Sequence, residues 1–295
     1  MKRAVDFYSE GFKLCGDVYT PDDLQPGEER AAVLLCHGYT GVKDLYLPDN
    51  ARVLNQAGYV VMTFDYKGWG YSEGPRSRLA PYSRVLDVQA AMTYLGLQPE
   101  VDAERIGLYG TSYGGATVSW VGAVDQRAKC IVSVVGIGNG ARWMSRVRRV
   151  DEWFDLLERS QDDRKKRATT GESEFVDRSE ILLPDRQSAE LAAAARRNNP
   201  AAVGTIPLEY VDDTIGFNPE WIVDKISPRA ILFITSDDDR LVLPEESEQL
   251  YAHAKEPKKL VVLKGHGHYE VYAEPAFSEV MKATLDWYGQ HLPPR

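Results

Sequence analysis

A serine between two glycines is the feature of this sequence that most directly predicts chemistry. The run Gly110-Thr-Ser112-Tyr-Gly114 has the pattern G-x-S-x-G, in which a strand turns sharply into a helix and a serine hydroxyl is exposed at the turn. Glycines suit both flanks because backbone passes close to backbone there. Apolar residues 106–109 predict the strand, and residues 116–124 predict the helix. We therefore take Ser112 as the candidate nucleophile, with the first N–H groups of the helix facing a developing oxyanion.

A serine hydroxyl also needs a base within hydrogen-bond reach, and the base needs an acid that orients it. The chain has five histidines, at positions 37, 253, 266, 268 and 291. His268 is the candidate base because it lies in a glycine-rich loop after the last predicted strand, and His266 in the same loop is its competitor. The acid is expected after the preceding strand, where Asp237, Asp238 and Asp239 follow one another. Residue type alone does not choose among these three.

The predicted elements place these residues at the ends of strands. A hairpin is expected over residues 5–8 and 12–19, and further strands over residues 31–36, 59–65, 106–109, 129–135, 230–235 and 259–263. Helices are expected over residues 48–57, 81–95, 116–124, 244–254 and 276–290. Alternation of this kind predicts an α/β fold with a mostly parallel central sheet and helices on both faces.

The alternation is interrupted between residues 139 and 226, where no clear strand pattern occurs. Helical spacing is present within residues 142–167 and 188–197, with looser stretches at 169–175 and 199–206. We interpret this segment as a helical cap inserted over the strand ends. The predicted domains are then residues 1–138 for the first part of the core, 139–226 for the cap and 227–295 for the second part of the core.

Aromatic residues of the predicted cap are candidates for contact with a substrate. They are Trp143, Trp153, Phe154, Tyr210, Phe217 and Trp221. Each of them could line a hydrophobic or aromatic acyl pocket or pack in the interior of the cap, and the sequence leaves both interpretations open.

The order of Ser112, an acid near residue 239 and His268 resembles the α/β-hydrolase family over nearly the whole chain. In that family the acid is commonly followed by two residues and a valine, often with a proline close behind. The run Asp239-Arg-Leu-Val242-Leu-Pro244 matches this with one extra residue before the proline. The resemblance therefore selects Asp239 among the three acids, with Asp237 as the alternative.

The same resemblance implies an oxyanion hole. It assigns the run His37-Gly38-Tyr39-Thr-Gly41 to the loop whose backbone N–H, that of Tyr39, acts together with the N–H of Tyr113. Each such donor contributes about 3–4 kcal/mol to the transition state. A second interpretation is that the Tyr39 hydroxyl points into the site. His37 itself is expected to be structural, hydrogen-bonded to its own loop.

Shorter stretches resemble one branch of the family. The loop that ends at Lys43, the run Phe64-Asp-Tyr-Lys-Gly-Trp-Gly70 and the run Gly265-His-Gly-His-Tyr269 resemble the dienelactone hydrolase, acetyl xylan esterase and Xaa-Pro dipeptidyl peptidase-like branch. Fungal polyketide acyltransferase-like hydrolases share these features. This resemblance bears only on the choice of substrate. The assignment of the catalytic residues does not depend on it.

Composition narrows the classes of partner. The 295 residues include 35 basic and 44 acidic side chains, and the net charge of −9 argues against nucleic acid or an anionic membrane as the main partner. An acidic residue early in the chain and the lack of a long apolar run lead us to expect a cytoplasmic protein. The three cysteines are odd in number and widely spaced, which predicts neither a disulfide framework nor a zinc site. No metal and no other cofactor is expected.

These features together predict a serine hydrolase that cleaves a carboxylic ester, lactone or thioester of a small to medium substrate through an acyl-enzyme on Ser112. A C–C bond hydrolase, an amidase or an acyltransferase could use the same residues. A binding protein that has kept the fold and lost activity is the alternative of another class. The expected partner is a small-molecule substrate. The sequence does not decide whether the chain forms a homodimer.

Overall fold

A computed structural model describes residues 1–197, 199, 201–202 and 204–295 of the chain. The strands in these residues are β1 (Lys2–Ser9), β2 (Phe12–Tyr19), β3 (Arg30–Cys36), β4 (Val60–Phe64), β5 (Val101–Thr111), β6 (Ala128–Val134), β7 (Phe175–Asp177), β8 (Thr205–Pro207), β9 (Ala230–Ser236) and β10 (Lys258–Leu263). The α-helices are α1 (Leu47–Gln56), α2 (Pro81–Gly96), α3 (Tyr113–Val124), α4 (Gly140–Arg146), α5 (Val150–Thr170), α6 (Arg178–Ile181), α7 (Arg186–Arg197), α8 (Tyr210–Ile215), α9 (Pro244–His253) and α10 (Ala276–His291). Short 3₁₀ helices cover Pro219–Trp221, Val223–Ile226 and Glu270–Tyr272.

Eight of the strands form one sheet in the order β1-β2-β4-β3-β5-β6-β9-β10. The N-terminal hairpin pairs antiparallel, and β2 is also antiparallel to β4. All the remaining neighbours in this sheet are parallel. The α/β fold with a mostly parallel sheet, predicted from the alternation of elements, is therefore confirmed.

Alternate residues of the central strands pack against helices on opposite faces of the sheet. In β3, Leu34 belongs to a core that includes Val88 of α2 and Val118 of α3. Its neighbour Leu35 belongs to the opposite core with Val280 of α10. Because successive side chains of a strand point to opposite faces, an uninterrupted apolar strand needs cover on both sides. This double cover holds the carboxyl ends of β5, β9 and β10 in fixed relative positions.

The segment between β6 and β9 contains helices α4–α8 and a small separate sheet. Strands β7 and β8 pair antiparallel, with Val176 opposite Ile206. The sequence indicated no strand here, since a three-residue strand is too short to show a period of two. The helical spacing predicted within residues 142–167 corresponds to two helices, α4 and α5. The looser stretch predicted at 199–206 includes residues 200 and 203, which lie outside the described residues. The division of the chain into three parts stays a prediction.

Within the described ranges, no helix combines the length and the apolar composition that crossing a membrane requires.

Candidate active site

Ser112 lies at the turn between β5 and α3. Its backbone has φ 56° and ψ −122°, a positive φ that residues other than glycine seldom adopt and that is concentrated at functional sites. A Cβ atom on Gly110 would lie 2.2 Å from the Gly114 carbonyl oxygen, and one on Gly114 would lie 2.2 Å from the Cys36 carbonyl oxygen. Only glycine fits either position. The two glycines thus let the turn pack directly against the end of β3.

Three side chains from different strand ends form a hydrogen-bonded chain at this turn. His268 Nε2 lies 3.1 Å from the Ser112 hydroxyl oxygen, and His268 Nδ1 lies 2.6 Å from an Asp239 carboxylate oxygen. All three residues are buried. The carboxylate can only accept, so Nδ1 carries the hydrogen and Nε2 is free to accept the proton of Ser112.

Asp239 is held in place by its own turn. Its other carboxylate oxygen accepts hydrogen bonds from the backbone N–H groups of Leu241 and Val242 at 2.9 and 2.8 Å. Both oxygens of this buried carboxylate are therefore satisfied, one by the turn and one by His268.

The competing acids and the competing histidine have other partners. Asp237 accepts from the Gly265 N–H at 2.7 Å, and Asp238 accepts from the Arg240 guanidinium at 2.6 Å. The His266 ring lies 3.9 Å from a Glu279 carboxylate oxygen. The structure brings Asp239 and His268 to Ser112. The alternative acids and the alternative histidine lie beside other partners.

The two backbone N–H groups predicted to receive an oxyanion belong to Tyr39 and Tyr113. Tyr113 is the first residue of α3, where an N–H has no acceptor within the helix. Among the described residues, the Tyr39 N–H has no hydrogen-bond acceptor either. The loop that carries Tyr39 touches the nucleophile, since a Cβ on Gly38 would lie 3.2 Å from the Ser112 Cβ. The oxyanion role of these donors stays a prediction that this arrangement supports.

A buried arginine of α2 anchors that loop. Arg84 is 1% exposed and donates to the Gly38 carbonyl at 3.2 Å and the Tyr39 carbonyl at 2.8 Å. The C=O and N–H of a trans peptide point in opposite directions. Holding the Gly38 carbonyl toward Arg84 therefore turns the Tyr39 N–H away from it. Sequence analysis missed Arg84, because its position in a predicted helix gave no signal of this contact.

Arg84 is stabilised by aromatic rings as well as by carbonyls. Its guanidinium lies 4.4 Å from the centre of the Tyr66 ring and 5.5 Å from that of Trp69. Such cation–π contacts offset part of the cost of burying the charge.

His37 and Asp65 are structural residues of the same region. The His37 ring donates from Nδ1 to the Gly38 carbonyl at 3.0 Å, and burial, together with the nearby Arg84 charge, lowers its pKa to about 3. Asp65 accepts from the backbone N–H groups of Lys43 and Tyr71 at 2.7 and 3.1 Å. Burial raises the pKa of the Asp65 carboxyl to about 6. Neither side chain contacts the Ser112 hydroxyl, in agreement with a role in holding the loop.

The Tyr39 side chain packs into an aromatic cluster. Its ring centre lies 4.8 Å from that of Tyr210, 5.8 Å from that of Tyr113 and 5.9 Å from that of Trp143. The Tyr39 hydroxyl is buried and has no hydrogen-bond partner among the described residues.

The structure places the aromatic residues predicted to bind substrate outside the lining of the cavity beside Ser112. In the described part of the chain, this cavity is lined by none of the five predicted positions, which are Trp143, Trp153, Phe154, Tyr210 and Trp221. Trp143 and Tyr210 are buried in the core, and the Trp143 indole donates to the Leu241 carbonyl at 2.7 Å. Phe154 and Trp221 are exposed, and Trp153 packs at the edge of the core. Phe217, the sixth aromatic residue considered, stacks on Trp120.

The cavity beside Ser112 has two walls of different origin. Tyr39, Ser112 and His268 lie on the wall built by the strand ends, while Arg178 of α6 and Arg196 of α7 line the cavity from the segment between β6 and β9. Its volume is about 50 Å³, room for a few water molecules at about 10–15 Å³ each. Among the described residues that line it there is no Asp or Glu. Elsewhere in the described residues, no group of three or more His, Cys, Asp or Glu side chains is placed to hold a metal ion.

Known proteins resemble this chain along most of its length. The family described as "Serine aminopeptidase, S33" matches residues 27–276. An uncharacterized 31.7 kDa protein of Escherichia coli, from the traX-finO intergenic region, is 31% identical over 261 residues, which are 88% of this chain and 91% of that protein. Thiohydrolase aneE of Aspergillus aculeatus is 36% identical over 132 residues, which are 44% of this chain and 40% of that protein.

A solved structure shows the same fold. The α/β hydrolase GrgF from Penicillium sp. sh18 superposes with a TM-score of 0.82 at 22% identity, covering 99% of each chain.

Proposed function

Because this chain belongs to the serine aminopeptidase S33 family of α/β-hydrolases, we propose that it cleaves a carboxylic ester or thioester, open-chain or lactone, through an acyl-enzyme on Ser112. The observation that carries the proposal is the hydrogen-bonded chain from Asp239 through His268 to Ser112, with distances of 2.6 and 3.1 Å. A serine in such a chain is activated as a nucleophile in acyl transfer.

The proposed mechanism assigns one task to each group. His268 Nε2 takes the proton of Ser112 as the hydroxyl oxygen attacks the substrate carbonyl carbon, and it returns that proton to the leaving group. Asp239 holds the imidazole in the required tautomer and stabilises its charged form. The N–H groups of Tyr39 and Tyr113 receive the negative charge that develops on the carbonyl oxygen. Water, activated by His268, then releases the acid and restores Ser112.

Two observations bear on the substrate. The thiohydrolase relative supports a thioester among the acyl compounds considered. The small cavity favours a short acyl group. We further propose that residues 139–226 set specificity as a cap, because Arg178 and Arg196 of that segment line the cavity with Ser112. Membership of the dienelactone hydrolase and acetyl xylan esterase branch is part of this proposal and rests on the loop motifs alone.

Hydrolysis of p-nitrophenyl acetate, butyrate, hexanoate and decanoate tests the proposal, with thioesters of N-acetylcysteamine carrying the same acyl groups as a second series. We expect the highest kcat/KM for the shorter acyl groups and no turnover above background for Ser112→Ala. Ser119→Ala is a matched control, since that buried hydroxyl donates to the Gly115 carbonyl within α3 at 2.8 Å. Equal activity of Ser112→Ala in a pure preparation would contradict the proposal.

A further inference from the structure

Two arginines that line the cavity have no anionic partner among the residues that the structure describes. Arg178 is 7% exposed, and the one hydrogen bond from its side chain to the described residues is a long one, 3.4 Å to the Tyr269 hydroxyl. The Nη1 atom of Arg196 is buried without a partner among the described residues. Both side chains line the cavity that contains Ser112.

Two other arginines of the same segment have carboxylate partners. Arg142 donates to Glu220 at 2.7 Å and to Glu246 at 2.8 Å, and Arg159 donates to Glu180 at 2.7 Å. Arg178 and Arg196 form no ion pair with a described carboxylate within 4.0 Å, in a chain of net charge −9. Burying a guanidinium without an anion is costly, because the charge loses its hydration and gains nothing in return.

The rest of the cavity would also accommodate an anion. Tyr46 lines it too, and the Tyr46 hydroxyl is buried with no partner among the described residues. It is a hydrogen-bond donor, as are the two guanidinium groups. With no Asp or Glu in the described lining, a negatively charged ligand meets donors and no repelling carboxylate.

We infer that the substrate carries an anionic group, a carboxylate or a phosphate, which binds Arg178 and Arg196 while its acyl carbonyl lies at Ser112. The guanidinium group suits both anions, because its parallel N–H groups match their oxygen atoms. The inference rests on the proposed function, since it specifies the substrate of the same site. Arg178 and Arg196 are then specificity-determining residues.

The test compares matched neutral and anionic thioesters. Glutaryl N-acetylcysteamine is compared with its monomethyl ester to place a carboxylate on the acyl group. S-pentanoyl 2-mercaptoethyl phosphate is compared with S-pentanoyl 2-mercaptoethanol to place a phosphate on the leaving group. We expect wild type to prefer at least one anionic member by about 10- to 100-fold in kcat/KM, the range for one or two charged hydrogen bonds.

The variants isolate the two arginines. Arg178→Met and Arg196→Met should each bring the anionic-to-neutral ratio toward one, and Arg178→Lys should restore part of it because the charge is kept. Arg186→Met is the matched control on α7, where the side chain is 93% exposed and pairs with Glu190; its ratio should equal that of wild type. Circular dichroism confirms that each variant is folded before its ratio is used.

Equilibrium dialysis with radiolabelled glutarate and inorganic phosphate separates this inference from the proposed function, since it needs no turnover. Saturable binding to wild type that is lost in Arg178→Met supports the anion site even if no thioester is cleaved. Preference for the carboxylate pair alone places the anion on the acyl group, and preference for the phosphate pair alone places it on the leaving group. A wild-type ratio near one for both pairs, no binding of either anion, or ratios and binding unchanged in both methionine variants would overturn the inference.

Discussion

The two walls of the cavity differ in how far their polar groups are satisfied. On the wall of strand ends, Asp239, His268 and Ser112 are hydrogen-bonded to one another at 2.6 and 3.1 Å. On the wall from the segment between β6 and β9, Arg178 and Arg196 line the same cavity with no anionic partner among the described residues. The three catalytic side chains of the first wall have their partners without a ligand, as catalytic preorganisation requires, while the Tyr39 and Tyr113 N–H groups beside them have no acceptor in the described part of the chain. The arginines of the second wall have donors that an anionic ligand would satisfy, as we propose above.

This difference follows from how each wall is built. The first wall stands on parallel strands that are covered on both faces, so its residues have fixed positions. The second wall stands on α6 and α7, which belong to the segment inserted between β6 and β9. Relatives with the same strands can therefore keep the chemistry while a different insertion changes the substrate.

Removal of the proposed base should have the largest effect on catalysis. His268→Ala should lower kcat by about 10³-fold or more, since both proton transfers use this imidazole. His266→Ala, two positions away in the same loop, should retain nearly full activity. Steady-state kinetics on a short-chain p-nitrophenyl ester measures kcat for both variants. A larger loss of kcat in the His266 variant would identify His266 as the base.

A change at Asp239 should have the next largest effect. Asp239→Asn keeps an oxygen for the Leu241 and Val242 N–H groups but places an amide N–H against His268 Nδ1, which favours the wrong tautomer. We expect kcat to fall by about 10²- to 10⁴-fold. Asp237→Asn is the matched control, because Asp237 accepts from Gly265 and pairs with Lys264 at 3.1 Å. Similar losses of kcat in both variants would show that Asp239 is not the acid that specifically orients His268.

Arg84→Met should have a smaller effect, because Arg84 acts on the 37–41 loop and not on the reacting atoms. The variant loses the bonds to the Gly38 and Tyr39 carbonyls, so the Tyr39 N–H is less firmly oriented. We expect a fall in kcat of about tenfold, less than for complete removal of an oxyanion donor, with little change in KM. Arg84→Lys should recover part of kcat, because a lysine can still donate to one carbonyl.

The control for Arg84 is Arg76→Met, since Arg76 also donates to loop carbonyls, those of Ser72 and Gly70, but outside the 37–41 loop. Equal kcat values in the Arg84 and Arg76 variants would show that Arg84 has no positioning role.

The last prediction concerns stability and not turnover, namely the acid stability of the loop that carries His37. His37 has a folded-state pKa of about 3, below the usual value near 6.5. The unfolded chain therefore takes up this proton first as the pH falls, and stability is lost between about pH 6.5 and pH 3, by about 1 kcal/mol per pH unit. In His37→Asn, whose amide can still donate to the Gly38 carbonyl, this contribution is absent.

Urea unfolding at several pH values measures the difference between the two proteins. Asp65 works in the opposite direction, because its raised pKa of about 6 makes stability fall as the pH rises from about 4 to 6. That contribution is present in both proteins and cancels in the difference. Parallel curves for wild type and His37→Asn would show that the His37 ring is not kept neutral by burial.

The sheet and the catalytic chain could be predicted from the sequence because their signals are local. Residues 31–36 are apolar without interruption, and β3 is buried along its whole length. Ser112 is marked by its flanking glycines, and His268 by its place after the last strand. The choice of Asp239 needed the family resemblance, since its neighbours differ from it only in the partners that the turn provides.

The contacts that depend on three-dimensional packing could not be predicted. Trp143 and Trp221 look alike in the sequence, yet one is buried against Leu241 and the other is 68% exposed. Arg84 reaches the 37–41 loop only because α2 packs beside it. Arg178 and Arg196 lie in a segment dense in charge, and only the fold determines which arginines find a carboxylate.

The central claim is that Ser112 becomes acylated, and the most direct measurement is the mass of the enzyme during turnover. The protein is mixed with a slowly hydrolysed short-chain ester and quenched in acid, and intact mass and peptide mapping follow. We predict an increase equal to one acyl group, located on the peptide that contains Ser112, and no increase in Ser112→Ala. Turnover without any adduct in wild type, or an adduct on another residue, would contradict the account.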